Sequence, residues 1–495
     1  MNVSEEVRMS PGRRASVLVE NEAFADQISY TFDQLLSPLG LSFDVRFVSR
    51  IAAGESFDIV VSYGTARPAV SAAGQVHIYE SDLFGSNYLQ TASLPKQRLP
   101  VWNGLPVLFS GRGRLDSFVK KEDHLVETNI DIVAAVFFML TCYEEVVVDA
   151  RDRFGRFPVE ESLAVREDFI ERPIVNEYIE LLAEWMESTG LQLKRPSPWR
   201  GKEFAVCCTH DVDRLRLFAG LRTILGTAWR ALRRRSLHGL MRVIRDLAKT
   251  RLGLKKDPFD TFDDMLNLER ELGLQSAYYF MAGGSARRYD GRYELSAVSG
   301  LIERIRDAGG EIGLHGSFNS LGDPELHPSE RKALESVAGC RVTGNRQHYL
   351  RFRAPLTWRL LEAAGIEYDT TLGFSGRVGF RCGTCYPFQV YDVEVGRRLD
   401  LWEIPLTVMD KTLYGQEGGR PPLMLEKLRS LLASVERFGG VVVMLWHNGS
   451  FYEVERPGFR GVYEDALRLV HRKSTYCVTP REVLEAWKST RELTK

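Results

Sequence analysis

From Phe204 onward the chain repeats one grammar, a short apolar run followed by a stretch with helical spacing, and it does so seven times. The runs are FAVCC, SAYYFM, EIGL, the segment before RFRAP, GIEYD, LWEIPLTVM and VVVMLW. Strands that alternate with helices over about 290 residues call for parallel βα units. A closed (β/α)7-like barrel is the most economical arrangement of seven of them, so residues 203–490 are expected to form one. The first 195 residues read differently. ASVLVE, a helix-like stretch from Asn21 to Leu36, LSFDVRFV and FDIVVSYG predict a smaller α/β layer. A loop-like section around Pro95 to Asp123 and helices near Ile130–Val147 and Arg172–Ser188 follow. LQLKRPSPWRGKEF, with its two prolines and four basic residues, reads as a linker between the halves.

Composition narrows the class. At 44% hydrophobic and 26% charged residues the chain is that of a globular protein, which excludes disorder as its main state. The longest apolar run, Ile132 to Tyr143, is about 12 residues, short of the roughly 18 to 20 that span a bilayer. The first 20 residues carry Glu5 and Glu6 and no apolar core, so a cytoplasmic location is expected. Seven cysteines, an odd number, do not make a disulfide scaffold and are read as thiols. Cys382 and Cys385 have the gap of a zinc half-site, but no second pair follows at the usual spacing.

Chemistry concentrates at three strand ends. After FAVCC comes Thr209-His210-Asp211-Val212-Asp213. In extended chain Thr209, Asp211 and Asp213 share one side, so two carboxylates converge beyond the strand's carboxyl end, where parallel α/β folds keep their sites. Paired carboxylates repel unless a cation neutralises them. A surface ion pair with Arg214 or Arg216, or a helix cap, is the competing reading. EIGL delivers His315, with Asn319 four residues on and on the same face if the chain turns helical there, a candidate fellow ligand, and VVVMLW delivers His447 and Asn448. An imidazole at a strand end suits a divalent transition metal.

The order DVD, EIGLHGSFN, Arg353-Ala354-Pro355, LWEIPL and LWHN resembles the polysaccharide deacetylases, the NodB-type carbohydrate esterases, over about Phe204 to Lys488. The resemblance implies a (β/α)7-like barrel and a metal-dependent hydrolase that removes an N-acetyl or similar acyl group from an amino sugar or glycan. It implies Asp211 as general base, Asp213 and His315 as ligands of a divalent metal (zinc, with cobalt or nickel as variants), Arg353 as the residue orienting the base and His447 as the acid. The N-terminal half, with RDRFGRFPVEESLA and RPIVNEYIELL, looks like a module that precedes a divergent bacterial subset of these barrels.

One position departs from the pattern. Asn319 stands where the family has its second metal histidine, and an amide oxygen is a weaker ligand than imidazole. His348 and Ser317 are the candidate replacements. Asp410 is a candidate carboxylate partner for His447, and Trp402, Glu403 and Asn448 are candidate substrate contacts, although aromatics in apolar strands also serve as core. Two other readings remain open: a hydrolase of small cyclic amides, and a metal-poor barrel that only binds glycan or membrane.

The formal charge of −1 conceals a local surplus. Residues 214–256 hold 13 basic side chains against one acid, Asp246, a net of +12 that leaves −1 − 12 = −13 for the rest. Leu217, Leu221, Ile224, Leu225, Ala228 and Leu232, then Leu237, Leu240, Met241, Ile244 and Leu247, recur at helical spacing. One or two basic amphipathic helices are expected, suited to an anionic membrane surface and a peripheral location there, or else to covering the barrel mouth. No aromatic interleaving or groove-reading motif accompanies the charge, so nucleic acid is not expected as a partner.

Overall fold

The structure, a computed structural model, describes residues 14–52, 54–233, 236–283, 286, 289–291 and 293–492. Two parallel sheets organise it. The N-terminal sheet runs in the order Ser42–Phe47, Arg14–Val19, Ser56–Gly64, Ser71–Tyr79, Leu125–Thr128 and Val119–Glu122, all parallel except the last pair. Three of its strands match the expected runs. Ser71–Tyr79 does not, because SAAGQVHIY opens on small and polar residues. The expected loop around Pro95 to Asp123 ends in a hairpin strand. The helix expected over Ile130–Val147 breaks at Cys142, whose φ of 50° separates Ile132–Leu140 from Tyr143–Val147.

In the second sheet, Arg397–Glu403, Tyr368–Asp369, Gly344–Gln347, Glu311–Gly316, Ser276–Phe280, Phe204–Val212 and Val441–Leu445 lie side by side and parallel. The chain after Arg397–Glu403 joins the two ends. Leu406 N–H donates to Leu372 O (3.0 Å), Thr407 N–H donates to Val443 O (3.1 Å), and Val408–Met409 then pairs with Met444 and Leu445. The sheet therefore curls into a seven-strand barrel, with LWEIPLTVM bonded to both edges. Its longest strand, Phe204–Val212, is buried at every residue.

The two sheets share one hydrophobic core. Helices Ala25–Leu36 and Ile132–Leu140 pack on Phe388–Asp392 and Arg397–Glu403, with the rings of Tyr30 and Phe137 4.9 and 5.6 Å from that of Tyr391. Beside it, Arg381 donates two bonds, of 2.7 and 2.6 Å, to the carboxylate of Glu145, and both groups are buried. All seven cysteines are free; Cys142 and Cys382 bring their sulfurs to 4.0 Å in this core, and Cys385 is buried separately.

Candidate active site

The alternation of the Phe204–Val212 strand sets the site. His210 points outward, where its Nε2 meets Glu269 at 2.7 Å, and Thr209 and Asp211 point into the barrel. Asp211, Asp213, His315, His348, His447, Asn448 and Lys411 line one cavity of about 510 Å³ at the strands' carboxyl ends. His315 Nδ1 donates to the carbonyl of Arg346 (2.8 Å), which fixes the tautomer and aims Nε2 at Asp213 Oδ1 (3.3 Å) and Asp211 Oδ2 (3.8 Å). Gly316 follows because a Cβ there would strike the side chains of Gln347 and Asn345.

His348 enters the same space. Tyr349 and Leu350 take left-handed backbone (φ 62° and 50°) and turn the chain back. His348 Nδ1 donates to Asp290 Oδ1 (3.1 Å), and Nε2 stands 3.6 Å from Asp213 Oδ1. One ligand atom each from Asp213, His315 and His348 lie within 4.8 Å of one another. Asp213 Oδ1 and His315 Nε2 are buried without a hydrogen-bond partner among the described residues, as is Asp211 Oδ1. Buried polar atoms rarely go unpaired, and a carboxylate oxygen beside two imidazole nitrogens is a donor set that fits a divalent transition metal. Burial pushes the pKa of His348 down against the pull of Asp290, favouring the neutral ring that a metal needs. At His315 burial acts the same way, but Asp211 and Asp213 outweigh it and raise the pKa. At Asp213 burial would raise the pKa, yet Lys411, His447 and His315 hold it well below the usual carboxylate range.

The remaining side chains form two supports. Arg346, wholly buried inside the barrel, donates to Thr209 Oγ1 (2.8 Å) and Thr370 Oγ1 (3.0 Å) and brings its Nη1 to 3.6 Å from Asp211 Oδ1. Asp410 receives His447 Nδ1 (2.7 Å), the His447 N–H (2.9 Å) and the Ser450 hydroxyl, so that His447 Nε2 faces Asp213 Oδ2 (3.6 Å) and Asp211 Oδ2 (4.0 Å). Lys411 Nζ lies 3.0 Å from Asp213 Oδ2.

Several expected residues sit elsewhere. Asn319 is exposed, because the chain stays extended through Ser317 instead of turning helical after His315, and the four-residue spacing no longer selects one face. Ser317 gives its backbone N–H to Glu330 (3.1 Å) and does not line the cavity. Arg353 is exposed beyond the Tyr349–Leu350 turn, and Arg346 approaches Asp211 instead. Trp402 packs in the core beneath Lys488 and Arg491. Glu403 is buried, accepting from Trp358 Nε1 (3.1 Å) and Leu372 N–H (3.1 Å), with its pKa raised well above the usual range by burial and by Asp369. Asn448 lines the cavity, but its amide donates to the carbonyls of Arg214 and Phe259 (both 2.8 Å) and ties loops together. Arg346, Asp290 and Lys411 were missed: an arginine in a strand reads as exposed, and nothing in sequence links Asp290 to His348. The N-terminal half also reaches the site. Arg156, held by Asp152 (2.9 and 2.7 Å), donates to the carbonyl of Tyr349 (2.8 Å) and lines the cavity.

Residues 17–190 match the model of a family of unknown function, DUF7033. No curated protein matches the chain. Among solved structures the chain is similar to a putative polysaccharide deacetylase from Mycobacterium smegmatis (19% identity, 58% of this chain and 91% of that one, TM-score 0.39). It is similar to PuuE allantoinase (14%, 60% and 94%, 0.40) and to BA3943, a CE4 family pseudoenzyme from Bacillus anthracis (10%, 57% and 66%, 0.29). No helix among the described residues is long and apolar enough to cross a membrane. The chain carries a curled parallel barrel after an N-terminal part whose residues 17–190 match a family of unknown function.

Proposed function

We propose that this protein is a metal-dependent hydrolase that removes an acetyl or similar acyl group from the nitrogen of an amino sugar. The observation that carries the reading is the convergence of Asp213, His315 and His348, with two of their donor atoms buried and without a hydrogen bond among the described residues. A divalent ion held by these three, zinc in the first instance, would lower the pKa of a water and polarise an acyl oxygen. Asp211, whose Oδ1 has no hydrogen bond among the described residues and faces the Arg346 guanidinium at 3.6 Å, would take a proton from the attacking water. His447, oriented by Asp410 through Nδ1, presents Nε2 to give a proton to the leaving amine. Lys411 and Arg214 add positive charge to the wall, which suits a glycan bearing acidic groups.

The test is release of acetate from N-acetylated amino-sugar oligomers by the purified chain supplied with zinc or cobalt. Wild type is expected to release it and Asp211→Asn to lose about 10²- to 10⁴-fold in rate; no release by wild type with either metal overturns the reading. One observation favours a second reading, a barrel that binds without catalysis. The Lys411 ammonium already neutralises one oxygen of Asp213. On that reading wild type retains no zinc after loading and dialysis while Lys411→Met does, and on the first wild type already retains it.

A further inference from the structure

The basic segment folds as two helices, Leu221–Arg233 and Leu237–Arg251; Arg234 and Arg235 lie outside the described residues. The helices do not bury the apolar faces that the sequence gives them. Only Thr227 and Ala231 of the first, and Gly239, Val243 and Asp246 of the second, are buried. Twelve large apolar side chains are exposed among the described residues, and nine of them lie between Leu221 and Leu254. Scattered exposed apolar residues need no explanation, but a concentration in one element does.

The arrangement is regular. At about 100° per residue, Leu221, Leu225, Trp229 and Leu232 fall within about 80° of one another on the first helix, with Arg222 and Arg233 next to them. Leu237, Met241 and Ile244 form the same kind of stripe on the second, bordered by Arg245. Leu252 and Leu254 extend it, and Lys255 and Lys256 follow. Tryptophan and leucine on one face with arginine and lysine at its margin match a surface whose interior is apolar and whose rim is anionic. Charge complementarity selects the occupant. A face for a second copy of this chain would meet the same positive charge, whereas an anionic bilayer neutralises it.

We propose that this helical hairpin docks the protein on an anionic phospholipid bilayer, with Leu225, Trp229, Met241 and Ile244 entering the headgroup boundary. Arg230, about 140° round the helix from the middle of the apolar stripe, lines the cavity wall together with Arg214, so the stripe faces away from the cavity side of the helix. Docking does not rest on the hydrolase reading.

Vesicle flotation of the full chain tests it, with vesicles of phosphatidylcholine alone or containing about 30% phosphatidylglycerol. The chain is expected to float with the anionic vesicles at least about tenfold more than with the neutral ones, and to be released by raised salt. Trp229→Ser with Met241→Ser, and separately Arg222→Gln with Arg233→Gln and Arg245→Gln, are each expected to lose about tenfold in binding while melting like wild type, because these side chains are mostly exposed. Equal flotation with both vesicle types, or none with either, overturns the proposal. So does a wild-type dimer in sedimentation velocity that Trp229→Ser with Met241→Ser makes monomeric, because the stripe would then be a self-association face. Acetate release in the absence of vesicles reports on the hydrolase reading independently, so either idea can fail without the other.

Discussion

Asp410 shows how the site divides labour between neighbouring carboxylates. It touches none of the candidate metal ligands, and its three bonds to His447 and Ser450 are spent on aiming one imidazole nitrogen. Asp410→Asn should lower turnover by about 10- to 100-fold, the usual cost of removing an orienting carboxylate, with metal content unchanged; parallel kinetics and elemental analysis check both halves. Asp211, Asp213, His315 and His447 were legible as a group because strand ends that carry Asp or His are uncommon and three of them recur. Asn319 was misread, since a spacing of four selects one face only within a helix, and the chain at Ser317 is extended. Arg346 was hidden for a different reason: arginine is almost never fully buried unless it is paired, and its partners are Thr209, on another strand, and Thr370, just past the strand Tyr368–Asp369.

At the scale of elements, the helix Ala25–Leu36 is fixed to the barrel by charge as well as by packing. Asp33 receives Arg398 and Arg491 at 2.7 Å each. Burial would raise the Asp33 pKa, but the two guanidinium groups outweigh it and lower it. A carboxylate depressed in the folded state stabilises fully above its unfolded pKa, about 3.9, and loses that contribution as pH falls through its folded value. The melting temperature of Asp33→Asn should therefore lie below that of wild type at neutral pH, with the gap closing below about pH 4; a gap independent of pH would remove the electrostatic account. His210 makes the complementary case. His210→Ala leaves Glu269 with Ser276, Tyr278 and Tyr463 only, and should cost about 1–3 kcal/mol in denaturant unfolding without changing metal content. Most barrel strands were readable because strands covered on both faces are near-continuous apolar runs; Gly344–Gln347, GNRQ, carries no such run and was located only by its position before RFRAP. Ser71–Tyr79 was not, since its first four residues, SAAG, carry no such signal.

Across the whole molecule, the linker-like LQLKRPSPWRGKEF does not mark a break in packing. The core that holds Val17, Tyr30 and Phe137 also holds Val390, Tyr391 and Leu401, and Arg156 crosses to the turn that carries His348 and Tyr349. We infer that the N-terminal part supports the site, so residues 203–490 expressed alone should aggregate or melt well below the full chain; a monomeric fragment with the full chain's melting temperature would refute this. Arg156→Ala should weaken metal retention by loosening the His348 turn, an effect visible in metal titration before any activity is measured. On the proposed function, His348 completes the ligand set that Asn319 leaves open. The direct test is elemental analysis of the full chain after zinc loading and dialysis. About one ion per chain is predicted for wild type, Asp211→Asn and Asn319→Ala, with loss in Asp213→Ala, His315→Ala and His348→Ala. Retention by His348→Ala at the wild-type level, or no ion in wild type, would contradict the claim.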